Sequence, residues 1–163
     1  MKNINTTRLA GLILLFLLVS MVPQTGRAES DIALSDGQTV YVPVYSHVYS
    51  VNHKNTFLLT ATLSIRNTDM QKSLTITAVD YYDDNGQLIQ KYLDEPMTLS
   101  PLQSSYFVVD ESDERGGVGA NFIIKWKADE RLNAPIVESV MIGTKLQQGI
   151  SFVTRGVAIA AGE

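Results

Sequence analysis

Past residue 28 the chain alternates. Between residues 57 and 65 every odd position is apolar (Phe57, Leu59, Ala61, Leu63, Ile65), and three of the even ones are Thr60, Thr62 and Ser64. Successive side chains of an extended chain point to opposite faces, so this run predicts a strand with one buried and one wet face. Residues 73–82 alternate as Leu74, Ile76 and Ala78, after which the apolar face shifts by one to Val79 and Tyr81. One extra residue in a strand produces such a shift, which predicts a β-bulge. Asp83-Asp84-Asn85-Gly86 predicts a hairpin turn, with Asn-Gly suited to positive φ, and residues 87–93 return from it. Further strands are predicted over residues 38–45, 104–110, 121–127, 136–144 and 150–154, with Pro43 placing the first at an edge or a bend. No apolar stripe at helical spacing longer than two turns follows residue 28. The pattern predicts an all-β chain, an antiparallel β-sandwich of immunoglobulin-like architecture, with a barrel as the alternative. The expected core is Phe57, Leu59, Leu63, Ile65, Leu74, Ile76, Val79, Tyr81, Phe107, Val109, Phe122, Ile124, Trp126 and Val140, and residues 158–163, being small, are expected to fray.

The first 28 residues follow another pattern. Lys2 and Arg8 precede residues 9–22, which are apolar except for Gly11 and Ser20, and Gly26 and Ala28 are small. This is the layout of a signal peptide, with cleavage expected after Ala28. The apolar run is shorter than the ~20 residues that span a bilayer. The expected organisation is a signal peptide over 1–28 and a single β-sandwich domain over 29–163, with no transmembrane anchor after cleavage. Cleavage removes three basic residues (Lys2, Arg8, Arg27) and no acid, which leaves 10 basic against 17 acidic residues, a net charge of −7. Such an acidic domain lacks the basic footprint of a nucleic-acid binder. The absence of Cys excludes disulfides, thiolate catalysis and Cys-based zinc sites, and in an exported chain it points to the bacterial periplasm or secretion from a bacterium.

Three stretches invite a functional reading. Tyr41, Tyr45, His47 and Tyr49 occupy alternate positions, so an extended segment turns these rings to one side, a surface suited to a protein or sugar. The loop 147–155 carries Gln147, Gln148 and Arg155, whose amides and planar guanidinium suit a partner contact. Residues 110–117 are the densest acid cluster, and Asp110, Asp113 and Glu114 are candidate calcium ligands beside glycines, against the simpler expectation of a solvated hairpin tip. His47 and His53, six apart, lack the spacing of a metal site. No Gly-x-Ser-x-Gly elbow is present, and Gly116–Ala120 lacks the Lys-Ser/Thr of a phosphate loop.

Two resemblances lie on these blocks. Residues 63–69 (LSIRNTD) and 74–86 (LTITAVDYYDDNG), followed by Leu99-Ser100-Pro101 and residues 104–109, resemble the middle of FxLYD-type immunoglobulin-like envelope domains. The blocks 41–46, 63–69, 79–86, 117–122 and 141–144 with 147–152 are similar to a family of bacterial exported proteins known only as a domain of unknown function. That resemblance implies an exported β domain and no reaction, ligand or cofactor. Some similar proteins are lipid-anchored, from which the missing Cys departs. The expectation is a non-catalytic envelope module that binds a protein or polymer through Tyr41, Tyr45, His47, Tyr49, Gln147, Gln148 and Arg155, with no cofactor. The alternatives are a small envelope hydrolase using His47 as base and a calcium-stabilised module. A pocket joining His47 to a carboxylate and a Ser favours the hydrolase.

Overall fold

The computed structural model describes residues 34–49, 52, 54–145 and 148–162. The expected signal peptide, His53 and Gln147 lie outside them. Twelve strands follow in order: β1 (Leu34–Pro43), β2 (His47–Tyr49), β3 (Thr56–Leu58), β4 (Thr60–Arg66), β5 (Leu74–Tyr82), β6 (Leu88–Lys91), β7 (Met97–Leu99), β8 (Ser104–Val109), β9 (Asn121–Asn133), β10 (Ile136–Lys145), β11 (Gln148–Arg155) and β12 (Val157–Ala161). Among the described residues the only helical element is a 3-10 turn at Glu114–Gly116. A six-stranded sheet runs β12-β1-β9-β5-β6, with β7 also paired to β5, and a four-stranded sheet runs β11-β10-β4-β8. β2 and β3 form a separate ribbon, and every pairing is antiparallel. The fold is an antiparallel β-sandwich.

The alternation explains the packing. In β4 the inward residues are Ala61, Leu63 and Ile65, and Thr60, Thr62 and Ser64 face out. The buried series includes Phe57 and Leu59, although the ladder breaks at Leu59, whose N–H turns to the Ser46 carbonyl (2.9 Å). The bulge in β5 falls at Thr77. Ile76 pairs with Trp126 and Ala78 with Lys125, so Thr77 has no opposite number, and its hydroxyl donates to the Lys125 carbonyl. Leu74 and Ile76 before the bulge, and Val79 and Tyr81 after it, are thereby all buried. The turn after β5 closes on Asp83, whose carboxylate accepts from the N–H of Asn85 and of Gln87, with Gly86 at φ +75°.

Four expectations need correction. Val140 faces outward, because the inward set of β10 is Val137, Ser139 and Met141, one residue out of phase. Phe107 is half-buried, at the margin where its ring meets Tyr92 edge-on (5.6 Å). β9 continues past residue 127 to Asn133: Leu132 and Asn133 pair with Ser35 and Leu34 beyond a register shift that leaves residues 128–131 without opposite numbers on β1. Residues 158–162 do not fray: β12 pairs with β1 over Gln38–Tyr41, the Gly162 N–H bonds the Gly37 carbonyl, and small side chains do not weaken main-chain bonds.

The chain changes sheets at Gly156. β11 belongs to the four-stranded sheet and β12 to the six-stranded one, and the Gly156 N–H bonds the Val137 carbonyl (2.8 Å). A Cβ there would lie 2.6 Å from Val40 Cγ1 and 3.1 Å from Val42 Cγ2, so the crossing admits only glycine without rearrangement. This closes one side of the sandwich and brings the end of β1 beside β11.

Candidate functional site

The segment after β1 keeps its alternation. Val40, Val42, Val44 and Ser46 are buried, and Tyr41, Tyr45 and His47 between them are half-buried. Main-chain bonds from Val44 to Ala120 and from Ser46 to Gly117 hold it extended. The expected row of rings is nevertheless distributed over three places. Tyr41 sits within the six-stranded sheet, opposite Ile123 on one side and Val157 on the other. Tyr45 meets Phe152 of β11 edge-on, 5.5 Å between ring centres. His47 meets Tyr49 edge-on at 5.4 Å on the β2–β3 ribbon, where Tyr49 is 52% exposed. The row breaks because the chain leaves the six-stranded sheet after Pro43 to form that ribbon.

The expected loop carrying Gln148 and Arg155 is strand β11. These two residues are its first and last, opposite Lys145 and Glu138 of β10. Seven steps of about 3.3 Å separate them, and their odd spacing sends the side chains to opposite faces. They cannot close on one small group. The structure does bring Tyr45 and β11 together: beside the Tyr45–Phe152 contact, the Thr154 hydroxyl donates to the Pro43 carbonyl. Two segments far apart in sequence thus share one corner. Val153, 54% exposed on the outer face of β11, is a contributor that the sequence reading missed. The strand predicted over residues 150–154 alternates through Ile150 and Phe152, which gives no sign that Val153 on the opposite face is left exposed.

Around His47 the chemistry is spare. Its Nδ1 is buried without a hydrogen-bond partner among the described residues, so no carboxylate orients the ring through that nitrogen. The hydroxyl of neighbouring Ser46 is occupied by the Tyr81 hydroxyl (3.1 Å, buried).

The acidic loop is a crossing between the two sheets, from β8 to β9, rather than a hairpin tip. Asp113 caps the 3-10 turn by accepting from the Arg115 N–H, and its two oxygens also receive Arg115 Nε (2.8 Å) and Nη2 (2.7 Å). These bonds hold the Asp113 carboxyl below the usual carboxylate range. Asp110, Asp113, Glu114 and Arg115 line an open cleft of about 560 Å³ with Tyr92 and Val108. Burial pushes the Tyr92 phenol up to about 12, and its hydroxyl donates to the Val108 carbonyl. No three acidic or histidine side chains converge as a metal cage among the described residues, and the guanidinium stands where it opposes a cation.

No curated protein matches the chain. A solved structure, "Crystal Structure of Thermotoga maritima 1070", is similar at 10% identity and a TM-score of 0.46, over 77% of this chain and 97% of that one, a likeness too slight to carry an argument. A family model also matches the chain, and it does not bear on the FxLYD resemblance. The match spans residues 37–159, all but the outermost residues of the sandwich, and on it the chain belongs to the family described as "Protein of unknown function (DUF3124)".

Proposed function

We propose that this chain is an exported, non-catalytic β-sandwich module of the bacterial envelope that binds a protein or polymer partner. The binding surface is the corner where the Tyr45 segment meets β11, flanked by the His47–Tyr49 ribbon and ending at Arg155. The observation that carries this reading is the contact between Tyr45 and Phe152, which joins two candidate segments that are remote in sequence. Rings held on a rigid scaffold and bordered by polar groups suit recognition, because little order remains to be imposed on binding. The signal-like pattern of residues 1–28 supports the envelope as the place of work. The rival reading, a small hydrolase with His47 as base, draws no support from a ring that lacks an orienting carboxylate at Nδ1 among the described residues.

The test uses crosslinking in the native envelope, with the captured partner identified and then quantified for variants. Tyr49→Ala and Arg155→Ala both alter exposed side chains, so each keeps its thermal midpoint while partner recovery falls several-fold. Wild-type recovery for both variants removes this surface from consideration. Sequencing of the purified chain from its N-terminus, expected to begin after Ala28, tests export.

A further inference from the structure

Three of the four edges of the two larger sheets carry features that discourage a further strand. β8 has six residues, and its Val108 carbonyl accepts the Tyr92 hydroxyl (3.1 Å). The β6/β7 edge is built from strands of four and three residues, with a register break at Tyr81/Tyr82 and Pro96 just before β7. β12 has five residues and is bulged against Thr39/Val40. β11 carries none of these. Its eight residues include no Pro and no acid, its register with β10 is unbroken, and its one charge is on the last residue, Arg155. No strand pairs with its other side among the described residues, so alternate residues present N–H and C=O groups that lack main-chain partners. A methyl built on Gly149 meets nothing within 4 Å. At the far end Thr154 and Phe152 are fastened to Pro43 and Tyr45, which holds the strand in place.

We propose that a second copy of this chain docks on this edge. β11 pairs antiparallel with its own copy about a two-fold axis, merging two four-stranded sheets into one. This rests on the reading of the Tyr45–β11 corner as an interaction surface, and it names a partner for that surface. The main chain sets the chemistry of the occupant, since only another extended chain offers donors and acceptors at strand spacing. A second copy supplies one of equal length, and a two-fold contact is self-complementary. Antiparallel pairing sets the two Arg155 guanidiniums at opposite ends of the joint, about 20–25 Å apart, each near the uncharged Gln148 end of the other copy. No like charges meet along the joint. On the outer face Val140 stands directly beside Val153, and Ile142 follows one row on. These apolar side chains, with Ile142 52% and Val153 54% exposed, run on into their equivalents across the axis.

Light scattering on the purified, processed chain reads twice the monomer mass, falling to the monomer on dilution. Ser151, exposed and near the middle of β11, has its own copy as neighbour across the axis. Ser151→Lys therefore opposes two ammonium groups and raises the apparent dissociation constant at least about tenfold, while Ile159→Lys on β12 and Tyr106→Lys on β8 leave it within about twofold. The chain has no Cys of its own, so single cysteines report the joint directly. On oxidation at least one of Gly149→Cys, Ser151→Cys and Val153→Cys crosslinks the dimer, and Tyr106→Cys does not. A monomeric mass at every concentration overturns the proposal, and so does a dimer that Ser151→Lys leaves intact. If Ser151→Lys does not fold, the cysteine series decides, and no crosslink from β11 overturns it. A monomer that still loses its envelope partner on Tyr49→Ala removes the dimer alone. A dimer whose Tyr49→Ala and Arg155→Ala variants keep full partner recovery removes the envelope-binding reading alone.

Discussion

Gly116 has no room for a side chain. It is buried in the 3-10 turn, and a Cβ there would collide with the Tyr81 hydroxyl and come within 2.6 Å of Ser46 Oγ and 2.8 Å of Ala120 Cβ. The Tyr81–Ser46 hydrogen bond and this glycine therefore form one packed unit that ties the acidic crossing to the core. Gly116→Ala is expected to destabilise by about 1–3 kcal/mol, as overpacking does. Because the nearest obstacle is a hydroxyl oxygen, adding Tyr81→Phe relieves part of that loss, and the double mutant is less damaged than the sum of the singles by about 0.5–3 kcal/mol. Denaturant midpoints of the four proteins close the cycle, and additive effects would show that the contact is relaxed elsewhere. Asn67 belongs to the same class. It is 2% exposed, its amide donates to the carbonyls of Lys72, Leu99 and Ser100, and its Oδ1 accepts from the Asp69 N–H. The block around it entered the sequence reading only as part of a resemblance. A hydrogen-bonding role of this kind is invisible in one dimension, because its three acceptors lie on two other stretches of chain.

At the scale of the element, β5 shows how much a local pattern can specify. The shift from Leu74 and Ile76 to Val79 and Tyr81 is legible in the sequence as one extra residue, and the register break falls between Ile76 and Ala78. Deleting Thr77 removes the extra residue, so Leu74, Ile76, Val79 and Tyr81 fall on one face of a strand without a bulge. The four side chains stay buried, and the deletion gives up the Thr77 bond to the Lys125 carbonyl, about 0.5–1.5 kcal/mol. The deletion should therefore keep a cooperative unfolding transition, and Thr77→Ala, which gives up only the bond to the Lys125 carbonyl, stays within about 1.5 kcal/mol of wild type. A deletion that loses the transition would mean that the apolar face of β5 is not set by that one extra residue. The same reasoning misjudged β12 and the distal half of β9. The Ala-rich residues of β12 give no alternation yet pair with β1 through main chain, and β9 regains β1 past its charged stretch only at Leu132 and Asn133. The strand predicted over residues 150–154 is present but longer, since polar Gln148 and Arg155, expected in a loop, are its first and last residues.

For the molecule as a whole, burial of phenols makes stability depend on alkaline pH. Desolvation raises the Tyr92 phenol to about 12 and raises that of Tyr81, against about 10 in an unfolded chain. Between these values the unfolded chain gives up protons that the folded one keeps. The stabilisation is therefore complete below about pH 10 and is lost as pH rises towards the folded values. The thermal midpoint should fall over that window, and more shallowly in Tyr92→Phe; identical slopes would show that the phenol is solvated. The alternation of residues 57–65 and the phase shift in β5, with the hairpin turn at residues 83–86, made the layered all-β architecture readable from the sequence alone, because the side-chain period is a property of the local backbone. Which strands became neighbours was settled only in three dimensions. Sheet order decided that β11 is an edge rather than an interior strand, that Tyr45 reaches Phe152 while Tyr41 does not, and that the acidic crossing engages its own Arg115. Those contacts join stretches with no local pattern in common, and pairing between distant strands is selected by the packing of the whole sandwich.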